Sequence, residues 1–309
     1  MAKWTITDIP DQSDRVALIT GANSGIGRAC AVALASRNAR VLVAARSVER
    51  GTAVVEKITS VGGRAELLEL DLADLASVRR AAAEVGERAP EGLDLLINNA
   101  GVMATPLKRT AEGFELQFAT NHLGHAALTW LLMPRLRQRP GARVVTVSSF
   151  THKGRGLDLD DPNFDQRRYN SGQAYSQSKI ANLLFMFELD RRLRTDGADV
   201  LSVAAHPGIV DTELAANSAR MRASDFIEKA ANLFSKTTGQ SPEQGALPLL
   251  YAATMADVRG GDYFGPDGLG ELRGGPKRVA TSAEAQSISD ARRLWEITAE
   301  LTSVTPDPV

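Results

Sequence analysis

Short apolar runs alternate with longer amphipathic stretches over the first two thirds of the chain. The runs RVALIT, ARVLVAAR, RAELLELDL, LDLLINNAG, ARVVTVSS and ADVLSVAAHPG are rich in aliphatic and β-branched residues, which predicts strands. Between them the apolar positions recur at helical intervals, most extensively over residues 111–134 and 173–195. Strands separated by helices of this length indicate βαβ units and a parallel sheet.

The strands are apolar almost throughout, which predicts a sheet covered by helices on both faces. We therefore expect an α/β fold, a doubly wound parallel sheet formed by one domain over residues 1–309. Two segments, 150–172 and roughly 209–241, interrupt the alternation at the strand ends where open α/β sheets bind ligands. We expect these segments to be elaborated substrate loops. A cofactor would then bind to residues of about 14–150, and residues of about 150–309 would supply catalysis and the substrate loops.

Composition narrows the classes of function. The 309 residues carry a net charge of −1 and are 43% hydrophobic, so a large core is available and nothing favours a nucleic-acid partner. Cys30 is the single cysteine, which excludes an intrachain disulfide and a multi-cysteine metal site, and we expect no metal. No apolar run reaches the roughly 18 residues of a membrane span, and the polar N-terminus is unlike a signal peptide. We expect a cytoplasmic protein.

A glycine-rich turn, TGANSGIG, lies between the first predicted strand and the first predicted helix. Gly21 would permit the tight turn, Gly25 would let the backbone approach a pyrophosphate, and Gly27 would let the helix pack closely. The phosphates would then lie at the positive N-terminal end of that helix. The residues expected to contact the dinucleotide here are Gly21, Asn23, Ser24, Gly25, Ile26 and Gly27.

The end of the second predicted strand indicates which dinucleotide binds. An acidic residue at this point would bind the ribose 2′-hydroxyl, whereas an arginine would pair with a 2′-phosphate. The chain has Ala45 and Arg46 here, with no carboxylate before Glu49. We therefore expect NADP(H) in preference to NAD(H). The alternative is that Arg46 only begins a solvated loop.

Tyr175 and Lys179, in YSQSK, are four residues apart on a predicted helix, so their side chains share one face. A neighbouring ammonium favours an ionised phenol and lowers its pKa from about 10. This pair predicts a proton donor that works near neutral pH. The alternative is an ordinary surface helix.

Six motifs follow one another along the chain: TGANSGIG, NNAG, NHLGH, VVTVSS, YSQSK and HPGIVDT. Together they resemble the short-chain dehydrogenase/reductase family over essentially the whole chain. The resemblance implies a Rossmann-type sheet and hydride transfer between NAD(P)(H) and an alcohol or carbonyl. The long segment between Ser149 and Tyr175, and the run AYSQSKIANLLF, resemble the branch of retinol dehydrogenases and protochlorophyllide-reductase-like oxidoreductases. That branch implies an apolar alcohol, aldehyde or ketone and a preference for NADP(H).

The resemblance also implies a role for each matching residue. Tyr175 would be the general acid/base, Lys179 would lower its pKa and hold the nicotinamide ribose, and Ser149 would hydrogen-bond the substrate oxygen. Asn121 would help to hold a water relay that reaches Lys179. Adenine would contact Asp71 and Leu72. The remaining positions that the resemblance places beside the adenosine ribose or the nicotinamide are Asn98, Ala100, Gly101, Pro207, Gly208, Ile209 and Thr212.

The histidines are expected to play lesser parts. His122 and His125 are expected to pack and cap, because no HExxH pattern or carboxylate cluster accompanies them. His206 is expected to pack beside the cofactor, and His152 is kept as a candidate substrate contact. The acidic run LDLDD at residues 157–161 lacks the EF-hand pattern and is expected to be a solvated loop.

Three further segments carry expectations. An amphipathic helix over 220–240 would cover the core or form a mobile lid. A C-terminal helix over 289–302 would begin at Ser289 as N-cap, with Trp295 packing it onto the body. The run ANLLFMF at 181–187 would be core or subunit interface, and the resemblance implies a homo-oligomer, a dimer or tetramer.

Three functions fit these observations. The first is an NADP(H)-dependent oxidoreductase acting on a small apolar carbonyl or alcohol. The second is a non-catalytic NADP(H)-binding redox sensor, which would have no need of Asn121, Ser149, Tyr175 and Lys179 together. The third is an epimerase or dehydratase on the same fold, which Arg46 opposes because such enzymes retain NAD.

Overall fold

Eight strands form one sheet in the computed structural model, which describes residues 4–154, 156–210 and 239–308. Their spatial order is β3-β2-β1-β4-β5-β6-β7-β8; β1 to β7 run parallel and β8 is antiparallel to β7. The strands span β1 Val16–Thr20, β2 Arg40–Ala45, β3 Arg64–Glu69, β4 Leu95–Asn98, β5 Ala142–Val147, β6 Val200–Ala205, β7 Tyr263–Pro266 and β8 Pro276–Arg278. The predicted parallel, doubly wound sheet is confirmed.

Helices cover both faces of this sheet. They span α1 Gly25–Ala35, α2 Val48–Thr59, α3 Leu75–Arg88, α4 Leu116–Phe118, α5 Gly124–Leu136, α6 Ser171–Thr195, α7 Pro242–Thr254 and α8 Ile288–Thr302. Short 3₁₀ turns span Ile6–Asp8, Phe150–Lys153, Leu269–Glu271 and Glu284–Gln286, and a π-helical segment spans Ala119–Leu123.

Alternate residues of β1, β2, β4 and β5 enter two separate cores. Ala17 and Ile19 of β1 pack with α1, α2 and α7, whereas Leu18 packs with α3, α5, α6 and α8. Cys30 is buried in the first of these cores. Because both faces are covered, ligands reach the sheet at the carboxyl edge of its strands.

The helix predicted over 111–134 begins later than expected. Gly113 has a positive φ of 89°, and Glu115 caps α4 by accepting hydrogen bonds from the amides of Gln117 and Phe118. The chain then passes through the π-helical segment before α5 starts. Asn121 lies in that wider segment, a distortion that often occurs at functional sites.

The prediction that Ser289 caps the C-terminal helix is wrong. Ser287 is the N-cap of α8, and its hydroxyl accepts the amide hydrogen of Asp290 at 3.3 Å, so Ser289 lies inside the first turn. Trp295 does pack this helix onto the body: its ring lies 5.4 Å from that of Phe185 and 4.8 Å from that of Trp130.

The run ANLLFMF belongs mainly to the core. Leu183, Leu184 and Met186 are fully or almost fully buried, and α8 covers the adjoining surface through Phe185. The prediction left core and subunit interface open, and the fold of a single chain already accounts for this burial. Homo-oligomerisation stays a prediction.

The acidic run at residues 157–161, within the segment 150–172, is solvated only in part. The Asp161 carboxylate is buried and accepts hydrogen bonds from the amides of Asp165, Gln166 and Arg167, so the solvated-loop prediction is wrong for this residue. Asp160 next to it is exposed, as predicted. Buried carboxylates need donors, and the turn of this segment supplies three amides.

Some expectations concern residues outside the described parts. The amphipathic segment 220–240 falls almost entirely there, and so does Thr212. Within residues 4–154, 156–210 and 239–308, no helix has the length and apolar character of a membrane span, and no group of metal-ligating side chains converges. The division at about residue 150 into a cofactor part and a catalytic part stays a prediction.

Candidate active site

A cleft of about 300 Å³ opens at the carboxyl ends of β1 to β4. The sequence-predicted residues that line it are Gly21, Asn23, Ser24, Gly25, Ile26, Gly27, Arg46, Asp71, Leu72, Ala100 and Gly101. Residues that sequence reasoning missed are Thr20, Ser47, Arg50, Leu70, Asn99, Val102, Met103 and Thr120. Most of the missed residues are next in sequence to a predicted one. Their position at the end of a predicted strand was therefore the sequence feature that could have identified them.

The glycine-rich turn approaches its neighbours as closely as glycine allows. Gly21 and Gly25 have positive φ angles of 65° and 50°. A Cβ on Gly27 would lie 2.5 Å from the carbonyl oxygen of Gly21 and 2.5 Å from Nδ2 of Asn99. The Ser24 side chain makes no capping hydrogen bond at the start of α1, so the first-turn amides are open to an anionic group. This cradle fits a dinucleotide pyrophosphate.

Asn98 and Asn99 point to opposite sides of the end of β4. Asn98 is buried and donates from Nδ2 to the hydroxyl of Thr129 at 2.9 Å, on the α5 side and away from the cleft. Asn99 lines the cleft, and its Nδ2 donates to the carbonyl oxygen of Thr20 at 2.8 Å. Alternation along the strand explains why only the second asparagine presents its side chain to the cleft.

Ser149, Tyr175 and Lys179 come together where β5 ends against α6. Nζ of Lys179 lies 5.6 Å from the centre of the Tyr175 ring and donates to the carbonyl oxygen of Val147 at 3.1 Å. The Ser149 hydroxyl accepts the amide hydrogen of Thr151 at 3.2 Å. All three members of the group are buried.

Burial acts on the two ionisable members in opposite directions. It raises the pKa of Tyr175 to about 12, and a hydrogen bond with the Ser149 side chain opposes this only in part. It lowers the pKa of Lys179 to about 8. The expectation that Lys179 lowers the pKa of Tyr175 is therefore wrong for the protein alone. The ammonium lies beside the ring, but the loss of solvent is the largest effect on the Tyr175 pKa.

Asn121 joins the loop after β4 to α6. Its Oδ1 accepts the Val102 amide hydrogen at 2.8 Å, and its Nδ2 donates to the Val102 carbonyl at 2.9 Å and to the Ser178 hydroxyl at 2.9 Å. A Cβ on Gly101 would lie 3.1 Å from this Oδ1 and 3.7 Å from Nζ of Lys179. The side chain therefore holds the loop beside Lys179, while the water relay stays a prediction.

Pro207, Gly208 and Ile209 lie at the end of β6, outside the lining of the cleft. Gly208 has a φ of 71°, and a Cβ there would lie 2.3 Å from the carbonyl oxygen of Leu272. The amide of Ile209 donates to that same oxygen at 2.8 Å. The loop between β7 and β8 thus fixes this segment.

Two histidines support the strand ends. His206 accepts the Gly208 amide hydrogen at Nδ1 (3.3 Å), its Nε2 lies 3.2 Å from a carboxylate oxygen of Glu271, and burial lowers its pKa to about 4. His152 is buried and donates from Nδ1 to the carbonyl oxygen of Ser149 at 2.6 Å. Its clearest role is to hold the backbone at Ser149; a contact with substrate stays a prediction.

Comparison with known proteins places this geometry in a family. The family model described as short chain dehydrogenase matches residues 15–223. Human retinol dehydrogenase 13 is 39% identical over 292 residues, which cover 93% of this chain and 84% of that protein. A crystal structure of a protein from Mycobacterium paratuberculosis superposes with a TM-score of 0.79 at 41% identity and covers 98% of both chains. RhlG of Pseudomonas aeruginosa, solved as an NADP active-site complex, gives a TM-score of 0.63 at 25% identity over 81% of this chain and 94% of that one.

The close packing at Gly27 gives a test of the cradle. Gly27→Ala should weaken NADPH binding more than tenfold, because the added methyl group must push the glycine-rich turn away from Asn99, a displacement costing about 1–3 kcal/mol. Gly86→Ala in α3 is the matched control: it too is a helical glycine, but its Cβ would meet nothing closer than 3.4 Å. Nicotinamide fluorescence titration measures both. Equal affinities in the two variants would contradict this role for the turn.

Proposed function

The chain belongs to the short-chain dehydrogenase/reductase family, and from this premise we propose that it transfers hydride between NADP(H) and an apolar alcohol, aldehyde or ketone. Family membership makes it an NAD(P)-dependent oxidoreductase, in the branch of its retinol dehydrogenase relatives. Three parts of the proposal go beyond family membership: the roles of individual residues, the choice between NADP(H) and NAD(H), and the polarity of the substrate. The observation that carries the proposal is the buried group of Ser149, Tyr175 and Lys179 beside the nucleotide cleft.

Tyr175 is the proposed general acid in carbonyl reduction. A nicotinamide held in the cleft would supply the hydride. The Tyr175 hydroxyl gives its proton to the carbonyl oxygen. Ser149 donates a hydrogen bond to the same oxygen as negative charge develops on it. Lys179 then stabilises the phenolate that Tyr175 leaves behind. Alcohol oxidation reverses each transfer.

The raised pKa of Tyr175 supports the acid role in one respect. At about 12 it keeps the phenol protonated over the whole working range of pH. The same high pKa means that the phenolate formed during reduction is unstable in this environment and needs a nearby positive charge. Lys179 is that charge, and Asn121 and the Val147 carbonyl hold the surrounding groups in place.

NADP(H) is the proposed cofactor because the cleft ends in basic side chains. Arg46 and Arg50 line it together with Ser47, at the end of β2 and the start of α2. Guanidinium groups bind phosphate oxygens in a bidentate manner, which suits a ribose 2′-phosphate. The first carboxylate after β2 is Glu49, which is absent from the lining.

Two observations support an apolar substrate: apolar side chains in the cleft and the names of the chain's relatives. Val102 and Met103 line the cleft where the loop after β4 passes Asn121. Several relatives at 36–39% identity are named retinol dehydrogenases, and their namesake substrate is an apolar alcohol. We propose the same chemical class here, without a particular compound.

Replacing Arg46 tests the cofactor proposal. Arg46→Ala should weaken NADPH binding by about tenfold or more, since a charge-assisted hydrogen bond contributes about 1.5–3 kcal/mol, and should leave NADH binding almost unchanged. Arg80→Ala, which removes an exposed arginine of α3, is the control. Both nucleotides are titrated against all three proteins. Equal losses for NADPH and NADH would rule out recognition of a 2′-phosphate by Arg46.

Replacing Tyr175 separates catalysis from binding. Tyr175→Phe should lower turnover by at least about a hundredfold, because general acid catalysis contributes about 10²–10⁴, while NADPH affinity stays within a factor of about two. Tyr251→Phe, which removes a hydroxyl bonded to the surface residue Asp257, should change neither. Turnover is followed on a panel of apolar aldehydes and ketones. Tight NADPH binding without turnover of any panel member by the wild type would favour the redox sensor instead.

The pKa of Lys179 gives a pH dependence for reduction. Its folded-state pKa is about 8, so the ammonium is present below this pH and is lost as the pH rises through it. The rate constant kcat/KM for reduction should therefore fall about tenfold per pH unit above about 8. In Lys179→Arg the guanidinium stays charged, so its residual activity should show no such fall. An unchanged fall in that variant would assign the titration to another group.

A further inference from the structure

His125, the second residue of α5, lies behind the nucleotide cleft and makes two side-chain hydrogen bonds. Its Nε2 is 2.8 Å from the hydroxyl of Thr20, and its Nδ1 is 3.0 Å from the carbonyl oxygen of Asn121. The imidazole is 3% exposed, so both bonds are shielded from water. Thr20 ends β1 directly before the glycine-rich turn, while Asn121 lies in the π-helical segment.

The partners determine which ring nitrogen carries the hydrogen. A carbonyl oxygen can only accept, so Nδ1 carries the hydrogen and donates to Asn121. Burial lowers the pKa of His125 to about 4, so the ring is neutral at ordinary pH and its Nε2 must accept. The Thr20 hydroxyl therefore donates its hydrogen to His125, the nearer of two acceptors, since Nε2 lies at 2.8 Å and the carbonyl oxygen of Ile97 at 3.4 Å.

This direction leaves the lone pairs of the Thr20 hydroxyl for the neighbouring turn. They accept the amide hydrogens of Asn99 at 2.9 Å and of Ala100 at 3.0 Å. The two turns also touch directly, since a Cβ on Gly21 would lie 2.9 Å from Cα of Ala100. Thr20 is thus the joint between the turn after β1 and the turn after β4, the two sides of the cleft.

We propose that His125 is a positioning residue for the nucleotide site. It orients the Thr20 hydroxyl so that the Asn99–Ala100 turn is held against the glycine-rich turn. The bond from Nδ1 to the Asn121 carbonyl fixes the ring so that Nε2 faces the Thr20 hydroxyl. The inference rests on the proposed function in so far as the cleft binds a nicotinamide dinucleotide.

His122 provides a control within the same stretch of chain. It is 1% exposed, burial lowers its pKa to about 3, and its Nε2 is 2.8 Å from the hydroxyl of Thr298 in α8. Its side chain also hydrogen-bonds with that of Asn182 on α6. The two histidines therefore match in burial and charge, but His122 faces the C-terminal helix.

Four variants test the proposal: His125→Leu, His125→Asn, His125→Gln and His122→Leu. Both leucine variants should be less stable to urea, because each leaves a buried hydroxyl without its imidazole partner. Only His125→Leu should also raise the dissociation constant of NADPH, by about tenfold, since the freed hydroxyl can turn away from the Asn99–Ala100 turn. With Tyr175 and Lys179 untouched, kcat at saturating NADPH should change less than that dissociation constant.

The two amide variants separate the two bonds of His125. The Oε1 of glutamine reaches the position of the imidazole Nε2 and can accept from Thr20, so His125→Gln should bind NADPH nearly as the wild type does. The Nδ2 of asparagine reaches only the position of Nδ1, so His125→Asn should bind as weakly as His125→Leu. This comparison decides the matter even if His125→Leu fails to fold.

A double-mutant cycle completes the test. Thr20→Val should weaken NADPH binding by itself, and adding His125→Leu to it should cause no further loss, because both changes break one chain of hydrogen bonds. Additive losses, or a His125→Leu protein that binds NADPH as well as His122→Leu, would overturn the positioning role. If the wild type bound neither NADPH nor NADH, the proposed function itself would fall, which is a distinguishable result.

Discussion

The contact between the turn after β1 and the turn after β4 is the constraint on which the cleft depends. Gly21 and Gly27 leave no space for a Cβ on either side of it, and the Thr20 hydroxyl accepts two backbone amides across it. Helix α1 starts from the first of these turns, and the loop that Asn121 holds starts from the second. Because protein interiors are close-packed, a shift of either turn would displace both α1 and this loop.

Burial of ionisable groups is the second recurring theme. Among residues 4–154, 156–210 and 239–308 no carboxylate pairs with Tyr175 or Lys179, and burial moves both pKa values toward the neutral forms. Their environment therefore favours a protonated phenol and an ammonium that is easily lost. Such perturbed groups beside a cleft are typical of sites that transfer protons. A cationic nicotinamide nearby would add to the field that stabilises the phenolate.

Segments outside the nucleotide cleft serve to brace it. In the insert after β5, the Tyr169 hydroxyl donates to the Thr105 carbonyl at 2.9 Å and also contacts the buried carboxylate of Glu115. These two contacts of Tyr169 hold the loop after β4 from its outer side, while Asn121 holds it from the inner side. The C-terminal helix covers α6 through Trp295 in the same manner. The insert therefore supports the loop after β4 from outside, although none of its described residues lines the cleft.

The sequence by itself determined the parallel sheet, the glycine-rich turn and the pairing of Tyr175 with Lys179, because apolar periodicity and spacing along one strand or helix are local properties. Ser149 was assigned to the same group only by the resemblance to a family. The sequence could not tell that Asn99 rather than Asn98 faces the cleft, that Ser287 rather than Ser289 caps the last helix, or that Asp161 is buried. Nor could it give the direction of the Tyr175 pKa or the two bonds of His125. Each of these depends on solvent exclusion and on partners distant along the chain, which exist only once the sheet and its helices have packed together.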